Sequence, residues 1–203
     1  MVTGVEGKQG GPVREVQSFL AQEDISDHAR FTLVDFNDET IRYARESLSS
    51  LKSSLRRFTH FEFVQNSVNN VLCEGTRLMK GKDPGHAEGL VSFGQYDMVY
   101  CAGLFDYLSD RMCKRLVEIF YRMLAPDGLM VVSNFSTANP NRGFMGYMVD
   151  WNLVHRTEEG MMSLAPGEAR KDLVQLITSP NKVEYYLKIR RPPDEGQGSA
   201  EPR

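Results

Sequence analysis

The sequence is poor in the residues that build disulfide frameworks, metal sites and membrane spans. Its 203 residues include three cysteines, Cys73, Cys101 and Cys113, with no C-x-x-C spacing. An odd number at that scatter excludes a disulfide frame or a zinc site and fits the reduced thiols of a cytoplasmic protein. The four histidines, His28, His60, His86 and His155, lack ligand spacing, so no metal is expected. No apolar run approaches the roughly 20 residues that cross a bilayer. The opening "MVTGVEGKQGG" has no basic stretch leading into an apolar one, so no secretory signal is expected either. Positive charge is also in short supply, with 24 Lys and Arg against 27 Asp and Glu, a net charge of −3. That argues against a broad nucleic-acid footprint, which needs clustered cations. Pairs such as Arg56-Arg57 and Arg190-Arg191 read as solvated faces or strand ends. There is no internal repeat.

What is present suits one domain of ordinary size over 1–191, with 41% hydrophobic and 25% charged residues. "FTLV" at 31–34 reads as a buried strand that runs into an acid, Asp35, and then into a helix start. Asn37 or Asp38 caps that helix, and its apolar stripe is Ile41, Ala44, Leu48, Leu51 and Leu55. "FEFV" (61–64) is a strand, 67–79 a helix and 80–89 a polar loop. "YDMVYCA" (96–102) is a buried strand. Ser109 then caps a helix with Met112, Leu116, Ile119, Phe120, Met123 and Leu124 on one face. "APDG" (125–128) is a turn and "LMVVSNF" (129–135) the next strand. Strands alternating with helices predict a doubly wound α/β fold with a mostly parallel sheet. "LVQLITS" and "VEYYLKIRR" flank Pro180-Asn181-Lys182 and predict an antiparallel hairpin at its end. The tail 192–203, "PPDEGQGSAEPR", is expected to be disordered. At the front, "GGPVREVQSFL" (10–20) is a glycine-rich loop feeding a helix with Val13, Val16 and Leu20 on one face. The only candidate first strand is the short "MVTGV", so that strand is weak or missing.

The order of these segments resembles class I S-adenosylmethionine-dependent methyltransferases over roughly residues 10 to 191. The segments that carry the resemblance are the glycine-rich turn, "LVDFN", "FEFVQNSV", "YDMVYCAGLFDYL", "LAPDGLMVVSNF" and the closing hairpin. It implies a Rossmann-like sheet of seven strands with the last antiparallel, and S-adenosylmethionine as cofactor. By the same resemblance Asp35 accepts hydrogen bonds from the two ribose hydroxyls and Phe36 lies against the adenine. On the residues alone, Asp35 could equally cap the following helix. Asn66, Ser67 and Val68 match the adenine-contacting position, with capping as the other reading of Ser67. Ala102 and Gly103 let the ligand approach the backbone. Phe105, with Asp106 and Tyr107, would face the sulfonium or the acceptor, or else pack and start a turn. Gly10 and Gly11 stand where the family's first motif meets the cofactor's amino-acid moiety, but its acid-x-Gly-x-Gly-x-Gly is not cleanly present.

"NFSTANPNRGFMGYMVDWNLVHRT" (134–157) holds the only tryptophan and falls where this fold builds part of its acceptor pocket. Asn134, Arg142, Trp151 and Arg156 are its candidate acceptor-binding residues, and His155 and Tyr147 its candidate catalytic ones. The plainer reading puts Phe144, Met148, Trp151 and Val154, at helical spacing, in the core. The Asn/Asp/Ser-Pro-Pro-aromatic motif of nucleic-acid-base methyltransferases is replaced by "CAGLF". A small-molecule acceptor is therefore expected, with no nucleic acid and no membrane, and a homodimer is admitted. The rival readings are a cofactor-binding domain without catalysis and a dinucleotide-binding oxidoreductase.

Overall fold

A computed structural model describes residues 2–4, 12–22, 29–74, 79–81, 89–91 and 95–194. Among them a seven-stranded sheet runs in the order β3-β2-β1-β6-β7-β9-β8. Its strands are β1 (Val2–Gly4), β2 (Arg30–Asp35), β3 (His60–Gln65), β6 (Tyr96–Ala102), β7 (Leu124–Phe135), β8 (Val174–Thr178) and β9 (Glu184–Arg190). The first five are parallel to one another, while β9 pairs antiparallel with both β7 and β8. The weak first strand is thus present and lies in the middle of the sheet, between β2 and β6. The chain winds outward through β2 and β3, then returns to β6 on the other side of β1. The strand order reverses there, and doubly wound sheets bind ligands beyond the strand ends at such a reversal.

Two apolar layers hold the helices to the sheet. On one face α1 (Pro12–Gln22) and α2 (Asp38–Ser54) bury Val16, Leu20, Ile41, Ala44 and Leu48 against Leu33 and Phe63. Val13 has a side chain outside the described residues. Asn37 caps α2, its Oδ1 accepting from the backbone N–H of Glu39 at 2.8 Å and of Thr40 at 3.4 Å. On the other face α4 (Asp110–Arg122), capped by Ser109, packs on β6, β7 and β9 through Leu116, Ile119 and Phe120 as its periodicity predicts. The hairpin ahead of β9 turns through Lys182, whose φ is 59°.

Three local expectations are corrected. The helix predicted to reach residue 79 is described as α3 (Val68–Glu74), and Met79 itself belongs to a strand. The loop expected over 80–89 is bracketed by a small antiparallel pair, β4 (Met79–Gly81) and β5 (Gly89–Val91). "APDG" does turn, but as a bulge inside β7: Tyr96 pairs with Leu124 and Met98 with Leu129, so one residue of β6 faces four of β7. Asp127 takes a φ of 61° there. Most of the tail, 195–203, lies outside the described residues.

Candidate functional site

The parallel strands β2, β3, β6 and β7 all end on one edge of the sheet, and most of the sequence-predicted site residues gather there. Asp35, the last residue of β2, is only 6% exposed. Its Oδ1 accepts the backbone N–H of Asn37 at 2.8 Å. Its Oδ2 is buried and meets no hydrogen-bond donor among the described residues. Burial pushes the carboxyl up from 3.8 to about 6, against the lowering effect of the Asn37 and Phe36 backbone N–H groups. Because Asn37 caps α2, the capping alternative for Asp35 falls away. Phe36, beside it, leaves half of its surface open to solvent.

Asn66, just past β3, is drawn to Asp35 by its backbone N–H, which donates to the Asp35 carbonyl at 2.9 Å. Its Oδ1 accepts from Asn70 Nδ2 at 2.9 Å, while its own Nδ2 is buried without an acceptor among the described residues. Neighbouring strand ends therefore present one vacant acceptor and one vacant donor. Ser67 spends its hydroxyl as a cap, accepting from Asn70 N–H at 3.1 Å. Val68 is half-buried against the main core. Ala102 ends β6, and Gly103 after it takes a φ of 74°, a conformation that glycine adopts without steric cost. Gly10 and Gly11 lie outside the described residues.

Four predicted site residues turn out to build the frame instead. Phe105 opens a 3₁₀ turn (Phe105–Tyr107) with its side chain 0% exposed in the core, so its ring has no face to offer a sulfonium. Asp106 is buried, and its Oδ1 accepts the backbone N–H of Phe135 at 2.7 Å. Arg156, expected to grip an acceptor, is buried with all three guanidinium nitrogens bonded to the protein. Nε donates to Asp110 Oδ1 at 2.9 Å, Nη1 to the Phe105 carbonyl at 2.9 Å and to Asn134 Oδ1, and Nη2 to the Leu108 carbonyl at 2.7 Å, with Nη2 also in an ion pair with Asp110 Oδ1 at 2.8 Å. Asn134 gives its two amide hydrogens to the carbonyls of Phe135 at 3.0 Å and Val154 at 2.7 Å. Asn134 keeps no donor for a ligand, and the Arg156 side chain is only 3% exposed.

Beside this frame the aromatic residues meet. The Trp151 indole N–H donates to the Tyr107 hydroxyl at 2.9 Å, and Phe135 lies edge-on to Trp151 with ring centroids 6.0 Å apart. Phe135 also packs on His155 at 5.8 Å. His155 Nδ1 is 3.1 Å from the Leu153 carbonyl, and its Nε2 is buried with no partner among the described residues. Phe135 is not among the candidate residues that the sequence offers, since the last residue of an apolar strand carries no sign of a role in a site. The helix α5 (Arg142–Met148) exposes Phe144, Tyr147 and Met148, and Val154 beyond it is exposed too, so the core reading of that stripe fails for Phe144, Met148 and Val154. Tyr147 is 93% exposed and none of the described contacts holds its ring. Arg142, at the start of α5, also extends into solvent.

Other chemistry is thin. Cys113 is buried, and burial pushes its thiol up to about 12, so it is inert as a nucleophile. Among the described residues no cluster of His, Cys, Asp and Glu could hold a metal ion, and no helix is long and apolar enough to cross a membrane.

No known family profile and no curated protein matches the sequence. Solved structures do match in shape. A possible exported protein of Bordetella parapertussis superposes with a TM-score of 0.64 over 94% of this chain and 61% of its own, at 15% identity. The S-adenosylmethionine-dependent methyltransferase SibL gives 0.60 over 94% of this chain and 50% of its own, at 13% identity. PhzM, a pyocyanin biosynthetic protein, gives 0.55 over 94% and 49%, at 19% identity. The chain thus has a class I methyltransferase-like fold and spans about half to three-fifths of the length of these proteins.

Proposed function

From that fold as premise, we propose that the chain is an S-adenosylmethionine-dependent methyltransferase acting on a small-molecule acceptor. The observation that carries the reading is the vacant Oδ2 of Asp35 at the tip of β2. A buried carboxylate oxygen without a donor is costly, and two convergent ribose hydroxyls would satisfy it with charge-assisted hydrogen bonds. The vacant Nδ2 of Asn66 suits an acceptor atom of the adenine edge, and exposed Phe36 is free to lie along the ring. The residues present therefore fit the nucleoside part of the cofactor. Gly10 and Gly11 are assigned to its amino-acid part. When bound, the cofactor supplies a methyl group already activated as a sulfonium, so the chain's task is alignment and exclusion of water.

On the acceptor side, Trp151, Tyr107 and Phe135 supply apolar walls, exposed Tyr147 is a further candidate, and Arg142 is the cation assigned to an anionic group. His155 is assigned as the group that takes a proton. The net charge of −3 supports a small acceptor over nucleic acid. Calorimetric titration with S-adenosylhomocysteine, with NAD as control, tests the reading. Binding of the first alone is expected. Binding of NAD would turn the assignment toward an oxidoreductase, and binding of neither by folded protein would overturn it. S-adenosylhomocysteine binding with no methyl transfer across an acceptor panel would leave a binding domain.

A further inference from the structure

We infer that the acceptor's reactive group is a hydroxyl or N–H that donates to Nε2 of His155, and that Asn134, Asp106 and Arg156 are positioning residues that hold that nitrogen in its accepting form. The inference rests on the methyl-transfer reading above and narrows its acceptor to a protic nucleophile.

Three observations converge. First, the Leu153 carbonyl 3.1 Å from Nδ1 can only accept, so the neutral ring carries its proton on Nδ1 and leaves Nε2 a bare lone pair. That is the reverse of the tautomer a free imidazole prefers in water. Second, Nε2 is buried without a donor among the described residues, a vacancy that a satisfied core histidine would not keep. Third, the backbone on both sides of His155 is pinned. The Val154 N–H donates to the Asp106 carbonyl at 2.7 Å, and the Val154 carbonyl accepts Asn134 Nδ2 at 2.7 Å. The Arg156 N–H donates to the Phe135 carbonyl at 2.9 Å and the Arg156 carbonyl accepts the Thr137 N–H at 2.9 Å, while the guanidinium is fixed by its own bonds. The two peptide planes that meet at His155 are therefore both fixed, and the Phe135 ring at 5.8 Å limits the imidazole.

The chemistry balances. As the acceptor oxygen or nitrogen forms its bond to the methyl carbon, the sulfur–carbon bond breaks and its electron pair stays on sulfur. The acceptor's proton passes to Nε2, so the positive charge moves from sulfonium to imidazolium and is then released to solvent. A carboxylate has no proton to give and meets the lone pair unfavourably.

Nitrogen-15 spectra of the labelled full chain, taken at alkaline pH with the ring neutral and assigned through His155→Gln, test the arrangement. A protonated Nδ1 and a bare Nε2 are expected; the opposite tautomer overturns the inference. Asn134→Asp keeps the acceptor for Arg156 but loses both amide donors, and should shift His155 toward a mixture of tautomers. An unchanged ring spectrum in that variant removes the positioning role, and the wild-type spectrum decides the tautomer if the variant does not fold. With S-adenosylhomocysteine present, phenol, 1-decanol and benzylamine are titrated against benzoate. Movement of the Nε2 resonance by at least one of the first three, and not by benzoate, is expected. Movement by benzoate alone, or by none of the four, overturns the assignment. Failure of S-adenosylhomocysteine to bind would sink the methyltransferase reading and leave the tautomer result standing, so the two failures are distinguishable.

Discussion

Asp35 carries an electrostatic cost in the free protein. Its folded pKa of about 6 lies above the ordinary 3.8, so the native state holds the proton more tightly than the unfolded chain does. The resulting stabilisation is complete below pH 3.8 and is lost as pH rises to about 6. Asp35→Asn, neutral at all pH, should therefore stabilise the free protein at neutral pH by roughly 1–2 kcal/mol, read from urea unfolding. Asp35→Ala should weaken S-adenosylhomocysteine binding by about 1.5–3 kcal/mol in calorimetry, the scale of hydrogen bonds to a charged group. An unchanged dissociation constant in folded protein would remove the ribose role. Since ribose hydroxyls favour the charged carboxylate, affinity should also fall as pH is lowered through about 6. A flat profile across that range would mean that Asp35 does not face the ligand.

At the scale of elements, the segment that joins β7 to His155 is anchored by a buried cation. Arg156 draws the 3₁₀ turn, Leu108, Asp110 and Asn134 to itself. Arg156→Met should cost about 3–5 kcal/mol in chemical unfolding, because it strands acceptors that have already left water. A loss under 1 kcal/mol would show that water replaces the guanidinium. The β7 bulge invites a different test. A Cβ on Gly128 would lie 2.8 Å from the Ala125 carbonyl oxygen and 2.9 Å from that of Tyr96, both backbone atoms. Gly128→Ala should destabilise by about 1–3 kcal/mol and leave S-adenosylhomocysteine affinity unchanged, since the bulge lies at the start of β7 and the site at its end. A weaker affinity would mean that the bulge sets the position of the strand end.

For the whole molecule, a ligand that binds only the native state must raise its melting temperature. S-adenosylhomocysteine at about 100 times its dissociation constant contributes about 2.7 kcal/mol, which for a chain of this size means a rise of roughly 5–10 °C. NAD should give none. A calorimetric scan showing equal shifts for both would argue for a general nucleotide pocket. The same scale explains how the site is assembled: Asp35, Asn66, Gly103 and Phe135 are distant in sequence, and parallel pairing places them on one edge.

Periodicity and capping chemistry are local, so the sequence alone determined α2 with a cap at Asn37 or Asp38, of which the structure uses Asn37, α4 with its Ser109 cap, the buried strands and the closing hairpin. The position of Asp35 stood out for a related reason: an acid at the tip of an apolar strand is a local conflict, and the structure buries it there. Local signals erred at Met79, whose apolar side chain reads as the end of a helix while cross-strand pairing with Val91 makes it a strand residue. The tertiary structure alone decided that Val2–Gly4 takes the central place in the sheet, because neighbours on both sides supply the hydrogen bonds. It alone decided that Arg156 and Asn134 build the frame. A charged side chain is expected at the surface until partners as far as 51 residues away in sequence fold around it. It decided the vacancy at His155 in the same way, since an unpaired nitrogen is defined by what does not approach it, and a linear sequence does not fix approach.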